Sequence, residues 1–180
     1  LQKEGIDLFL SFESFQDIIV DEKAQLSYID RDLSTFAFEI GYLYNDYHKN
    51  GWLFDQNKKT QYYLLICNIK TQKGNRKLSD NKIISFEIIL ISRKKLIIFL
   101  HEKGISYEEL KLKEKEYREK SFNGRIPIKG EENMYFFLTQ KLAEKPFNIV
   151  IKKKELKEIS DYYKVINLNH QRLSLVHNNP

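Results

Sequence analysis

The chain has 180 residues, 42% of them hydrophobic and 31% charged, with 30 Lys and Arg against 25 Asp and Glu and a formal net charge of +5. That length and apolar content suit a single domain over residues 1–180 with a substantial core. No apolar run is long enough to cross a bilayer, and the longest candidate, residues 96–100, is bounded by charge on both sides. The lone Cys67 excludes an internal disulfide, the four histidines are too scattered for a zinc site, and a reducing cytoplasm is the expected compartment.

In chain order, residues 5–10 and 18–24 are two short apolar, β-branched and aromatic runs separated by Glu13-Ser14-Phe15, the pattern of a β-hairpin. With Ser14 at the loop centre, residues whose numbers sum to 28 face each other, so Asp7 lies opposite Asp21. A strand is expected over residues 35–44, paired with residues 60–69 across the turn-like Asn50-Gly51 and Asp55-Gln56-Asn57. Residues 72–80 form an exposed basic loop in this reading, and residues 83–91 another strand or a buried apolar element. Ser92 is placed to cap a helix that stops at Gly104. A charged amphipathic helix follows over residues 107–120, then an edge segment over 125–128 and short strands at 135–138 and 148–151. A helix over 152–162 and a polar tail of fifteen residues complete the pattern. The chain enters its first strand almost at once from Leu1 without a signal-peptide pattern, which leads us to expect a segment before it.

The chemistry concentrates in the first hairpin. Asp7 and Asp21 as facing carboxylates repel each other unless a cation or a proton sits between them. Lys23, two residues beyond Asp21, projects from the same face, because side chains alternate along a strand. Two oxygen ligands beside an ammonium suit Mg²⁺ and an attacking water.

The pattern Gly5-Ile6-Asp7, a short hairpin, then Asp21-Glu22-Lys23 resembles the core motif of the PD-(D/E)XK, or restriction-endonuclease-like, nuclease superfamily. The resemblance is tight over roughly the first 25 residues and rests on element order beyond them. It implies an α/β fold, a central mixed β-sheet flanked by helices in the order αβββαβ. It also implies that Asp7 and Asp21 bind Mg²⁺ or Mn²⁺ and that Lys23 orients water, with the Glu22 backbone carbonyl as a further ligand. In many relatives a helix before the first strand carries another acidic residue, which has no assignable counterpart in this sequence.

Acid-x-Lys triplets also arise by chance in so charged a chain, and Asp80-Asn81-Lys82, Glu109-Leu110-Lys111 and Glu155-Leu156-Lys157 are three more. Only Asp21-Glu22-Lys23 follows an Ile-Ile-Val run and has a second acid across a hairpin. Glu39, on the strand face opposite Phe38 and Ile40, is either a third site carboxylate or a paired structural one. Gln25 shares the face of Asp21 and Lys23, but its spacing to Tyr28 differs from the Gln-to-Tyr helix motif of one exonuclease branch. His48, His101, His170 and His177 form no ligand or triad spacing.

Positive charge clusters at Lys58-Lys59, residues 70–77, Arg93-Lys94-Lys95 and Lys152-Lys153-Lys154. Lys73, Arg76, Lys77, Lys152, Lys153 and Lys154 are the expected contacts to nucleic acid, DNA before RNA. The function expected is Mg²⁺-dependent phosphodiester hydrolysis. An inactive nucleic-acid-binding domain, a protein-interaction domain (including self-association) and a nuclease acting within a larger assembly stay open.

Overall fold

The computed structural model describes residues 4–12, 14–72 and 83–168. Six strands come first: β1 (Leu8–Phe12), β2 (Phe15–Ala24), β3 (Thr35–Tyr44), β4 (Tyr47–Asn50), β5 (Tyr62–Thr71) and β6 (Ile83–Ser92). Helices α1 (Arg93–Glu102) and α2 (Tyr107–Glu119) follow, then β7 (Gly124–Ile128), β8 (Glu131–Leu138), β9 (Phe147–Lys152), α3 (Lys153–Ile159) and β10 (Tyr162–Asn167). The α/β class holds, but the strands divide between two five-stranded sheets where one central sheet was expected. The first sheet runs β1-β2-β5-β6-β10 and the second β4-β3-β9-β8-β7. Among the described residues the first helix follows six strands, an order different from αβββαβ.

The first sheet is mixed. β1 lies antiparallel to β2, β2 parallel to β5, and β5, β6 and β10 alternate in direction. The expected pairing of residues 35–44 with 60–69 does not form: β5 pairs with β2 and β6, and β3 pairs with β4 and β9. The reason is visible in the side chains. β5 is apolar on both faces, with Tyr63, Leu65 and Cys67 on one and Tyr62, Leu64 and Ile66 on the other, the composition of a central strand. The main core packs Tyr63, Leu65, Ile89 and Ile91 of the first sheet against Phe36, Phe38, Ile149 and Ile151 of the second, and Leu96, Leu100, Leu110 and Leu156 of the three helices join it.

α1 begins at Ser92 as expected, and α2 carries a reciprocal capping box in which Ser106 and Glu109 bond each other's backbone. β7 holds Pro127 at the outside of its sheet, where a missing N–H costs no ladder bond. The helix expected over 152–162 ends at Ile159, and the chain continues as β10. Asp161 turns it, donating its N–H to the Leu90 carbonyl at 2.9 Å and accepting from the Ser92 N–H at 2.7 Å, which draws Tyr162–Asn167 onto the edge of β6. Most of the expected basic loop and all but the first residues of the tail lie outside the described residues.

Gly51 closes the main crossing. Its N–H reaches the Ile40 carbonyl at 2.8 Å, the Leu53 N–H reaches the Glu39 carbonyl at 3.2 Å, and a Cβ at Gly51 would strike the Glu39 backbone. Arg93 holds the following turn by donating to three carbonyls, those of Leu53, Asp55 and Lys58. Gly51→Ala is expected to lower unfolding free energy by about 1–3 kcal/mol, the usual cost of overpacking, and to change the fluorescence of the adjacent Trp52. Urea unfolding with the variant equal to wild type would contradict this close approach.

Candidate active site

The hairpin register is the one read from the sequence. Leu8 pairs with Val20, Phe9 with Ile19 and Leu10 with Ile18, and a bulge shifts only the last pair, Phe12 with Phe15. Asp7 stands just before β1 and donates its N–H to the Val20 carbonyl at 3.0 Å. The approach is anchored from below: the Thr60 hydroxyl donates to the Gly5 carbonyl at 2.8 Å, and Gly5 adopts φ +71° with no room for a Cβ above that hydroxyl. Gly5 in the Gly-Ile-Asp motif therefore serves the placement of Asp7.

β2 outruns β1, and the consequence is the site. The Gln25 N–H bonds the Ile66 carbonyl and the Gln61 N–H the Ile19 carbonyl, so odd-numbered residues of β2 face β5 along the sheet. Even-numbered Val20 and Glu22 face the β1 side, and past Leu8 no strand remains to meet Glu22. The Asp7 carboxylate takes that place, accepting from the Glu22 N–H at 2.9 Å. A residue's N–H and C=O project to one edge of a strand, so the Glu22 carbonyl is directed to the same side. The Glu22 side chain is exposed on the other face from Asp21.

Asp21 is 3% exposed, lies beside the Asp7 carboxyl and forms an ion pair with Lys23. Burial pushes the Asp21 carboxyl up, the Asp7 carboxyl adds to this, and the Lys23 ammonium offsets it only in part. Burial also acts to raise Asp7, but its hydrogen bonds with Asp21 and the Glu22 N–H outweigh that and hold it below the ordinary range. The two carboxyls are thus pushed in opposite directions, Asp21 up and Asp7 down. Lys23 lies with its ammonium 5.2 Å from the centre of the Trp52 ring, a cation–π contact that fixes its long side chain against the core. Trp52 packs in turn on Phe38 and Tyr63, and the Tyr63 hydroxyl donates to the Trp52 carbonyl at 3.1 Å.

Glu39 stands near this group. Burial raises its carboxyl, Glu144 and Glu114 add to that, and the Trp52 N–H and Lys23 counter it. Gln25 donates its amide to the Thr35 carbonyl at 2.8 Å, tying the end of β2 to the start of β3. Among the described residues no group of three or more His, Cys, Asp or Glu side chains is placed to hold a metal, so the carboxylate donors brought together are the two of the hairpin.

The basic residues separate. Lys154 is exposed and Lys152 half-exposed, whereas Lys153 turns inside, donating to the Asn68 side chain at 2.5 Å. Burial depresses its amine. Lys73, Arg76 and Lys77 lie outside the described residues. Arg93 is committed to its three carbonyls and Lys95 pairs with Asp161 at 3.2 Å. His48 meets the buried Glu114 at 2.9 Å, which Arg118 also grips, a tie between β4 and α2. Sequence reasoning had passed over Trp52 as a site residue. A lone tryptophan directly after glycine, between two strands, was the available signal.

No family model and no curated protein matches this chain, and no solved structure matches its fold.

The raised Asp21 gives a signed pH dependence. A carboxyl raised in the folded state stabilises the fold when protonated, and that contribution is lost as pH rises from the ordinary 3.8 through the raised value. Asp7, held low, acts oppositely in a window below 3.8. A divalent cation bound between these carboxylates would compete with protonation of Asp21, so a Tm rise induced by Mg²⁺ or Mn²⁺ is expected to grow as pH rises above 3.8 and to vanish in Asp21→Asn. Thermal melts across millimolar metal and pH check this; a shift that survives in Asp21→Asn would place the metal elsewhere.

Proposed function

We propose that the protein is a Mg²⁺-dependent nuclease of the restriction-endonuclease-like kind, hydrolysing phosphodiester bonds in DNA. The observation that carries this reading is the junction of β1 and β2, where Asp7, Asp21, the Glu22 carbonyl and the Lys23 ammonium come together at one exposed strand end. The donor set suits Mg²⁺, which takes one or two carboxylates from a protein and completes its shell with water and substrate phosphate. Asp7 and Asp21 would hold the ion, with the Glu22 carbonyl beside them. Bound there, Mg²⁺ supplies a Lewis acid that offsets charge on the phosphate and eases deprotonation of the attacking water.

The chain's own residues do the rest. Asp7 is exposed and faces the incoming phosphate, while Asp21 sits behind it and anchors Lys23. Lys23, held between the Asp21 carboxylate and the Trp52 ring, presents its ammonium to the nucleophilic water and to the phosphoryl oxygens. Water adds to phosphorus, the P–O ester bond breaks, and the departing oxygen takes up a proton. Negative charge grows on the phosphoryl oxygens in that transition state, where a fixed ammonium stabilises it more than in the bound substrate. Glu39 contributes field to Lys23 from within the protein.

Lys23→Ala is expected to slow single-turnover cleavage of labelled DNA by about 3 kcal/mol, roughly a hundredfold, while leaving metal and DNA affinity near wild type. Asp7→Asn is expected to weaken both metal binding and rate. Wild type that cuts neither duplex nor single strand with Mg²⁺ or Mn²⁺ overturns the reading, and equal cutting by Lys23→Ala removes Lys23 from its role.

DNA affinity is expected to be micromolar or weaker and to fall with salt. Lys154→Ala should reduce it without changing Tm, whereas Lys153→Ala should lower Tm through its lost bond to Asn68. Binding that ignores salt contradicts a phosphate-directed surface.

A further inference from the structure

A groove of about 570 Å³ opens beside Lys23, within the size range of ligand sites. Its floor is the face of the second sheet turned away from the core. The register sets Tyr135 opposite Val150 and Val150 opposite Ala37, and in the next row Phe137 opposite Asn148. Ala37, Val150 and Asn148 are smaller than the two aromatic rings of β8 that border the groove, Glu39 stands opposite Asn148 in the Phe137 row, and Phe137 is 36% exposed. The opposite wall is the 3-10 turn Leu26–Tyr28, which exposes Tyr28, and Lys23 and Trp52 close one end.

Three features fit one kind of occupant. Arg125 lies over the Tyr135 ring at 4.1 Å, and Lys152, opposite Thr35, stands on the same face, so positive charge borders the aromatic floor. Gln25 also lines the groove; its amide nitrogen donates to the Thr35 carbonyl, and its Oε1 is buried without a hydrogen-bond partner. The groove also runs into the proposed catalytic lysine.

We infer that this groove receives an unpaired nucleic-acid strand, with bases on Tyr135 and Phe137, phosphates toward Arg125 and Lys152, and the backbone led to Lys23. The inference rests on the nuclease reading and adds its substrate class. A duplex keeps its base faces stacked on one another and offers an aromatic floor only its sugar-phosphate edge, whereas an unpaired strand offers a face for each ring.

The experiment uses the full chain in EDTA, so that no cleavage intervenes. A labelled oligothymidine, a labelled mixed-sequence strand and the matching duplex are titrated, with anisotropy and the fluorescence of Trp52, the one tryptophan, as readouts. Both strands are expected to bind more tightly than the duplex and to alter Trp52 emission. Tyr135→Leu, which keeps apolar bulk but loses the ring, should weaken strand binding about tenfold or more. Tyr135→Phe should bind like wild type, and the metal-induced Tm shift should be unchanged in both. Equal or better binding of duplex, no binding of either strand, or indifference to Tyr135→Leu overturns the groove assignment. Failure of the nuclease reading looks different: strand binding persists while wild type with Mg²⁺ or Mn²⁺ cuts nothing.

Discussion

A strand that outlasts its neighbour organises this molecule's chemistry. β2 is held on one side by β5 over its whole second half, while β1 stops at Leu8. At an exposed strand end a backbone N–H without a strand opposite bonds either water or a side chain. The chain meets that need at Glu22 with the Asp7 carboxylate, and so sets an acid beside Asp21. The same bond that completes the sheet sets the two carboxylates side by side, next to the Lys23 ammonium. The Gly5–Thr60 anchor beneath holds Asp7 in this place.

The second organising element is the placement of the two sheets. β3 has a strand partner on only one side over Thr35–Glu39, because β4 pairs with it from Gly41 onward. The segment carrying Gly51 and Trp52 folds along this open stretch and bonds the carbonyls of Ile40 and Glu39. Trp52 thereby joins the core rings Phe38 and Tyr63 to the Lys23 ammonium. The lysine is held by a carboxylate on one side and an aromatic face on the other, which restricts its rotation.

Much of this was legible locally. The sum of 28 across the hairpin, the Ser92 cap, the α2 helix and the β-rich runs follow from periodicity and turn chemistry within short windows. What stayed hidden depends on contacts distant in sequence. β3 finds its partner in β9, more than a hundred residues later, and although the two apolar faces of β5 mark it as a central strand, no short window names its neighbours. β10 was taken for helix and tail because the charged α3 masks the β-rich Tyr162–Asn167, and its strand role depends on Asp161 reaching Ser92. Lys153 looked like one of three equivalent surface lysines; only the fold turns it toward Asn68. The candidate acids were readable because both lie within one hairpin, whereas Trp52 needed the crossing of a loop over another sheet.

The central claim is that the end of the first hairpin is a ready-made cation site. The most direct measurement is anomalous diffraction from crystals soaked in Mn²⁺. The account predicts a peak within bonding distance of both the Asp7 and Asp21 carboxylates and on the side of the Glu22 carbonyl. A peak bound only by other residues, or density showing the two carboxylates turned away from each other, would contradict it.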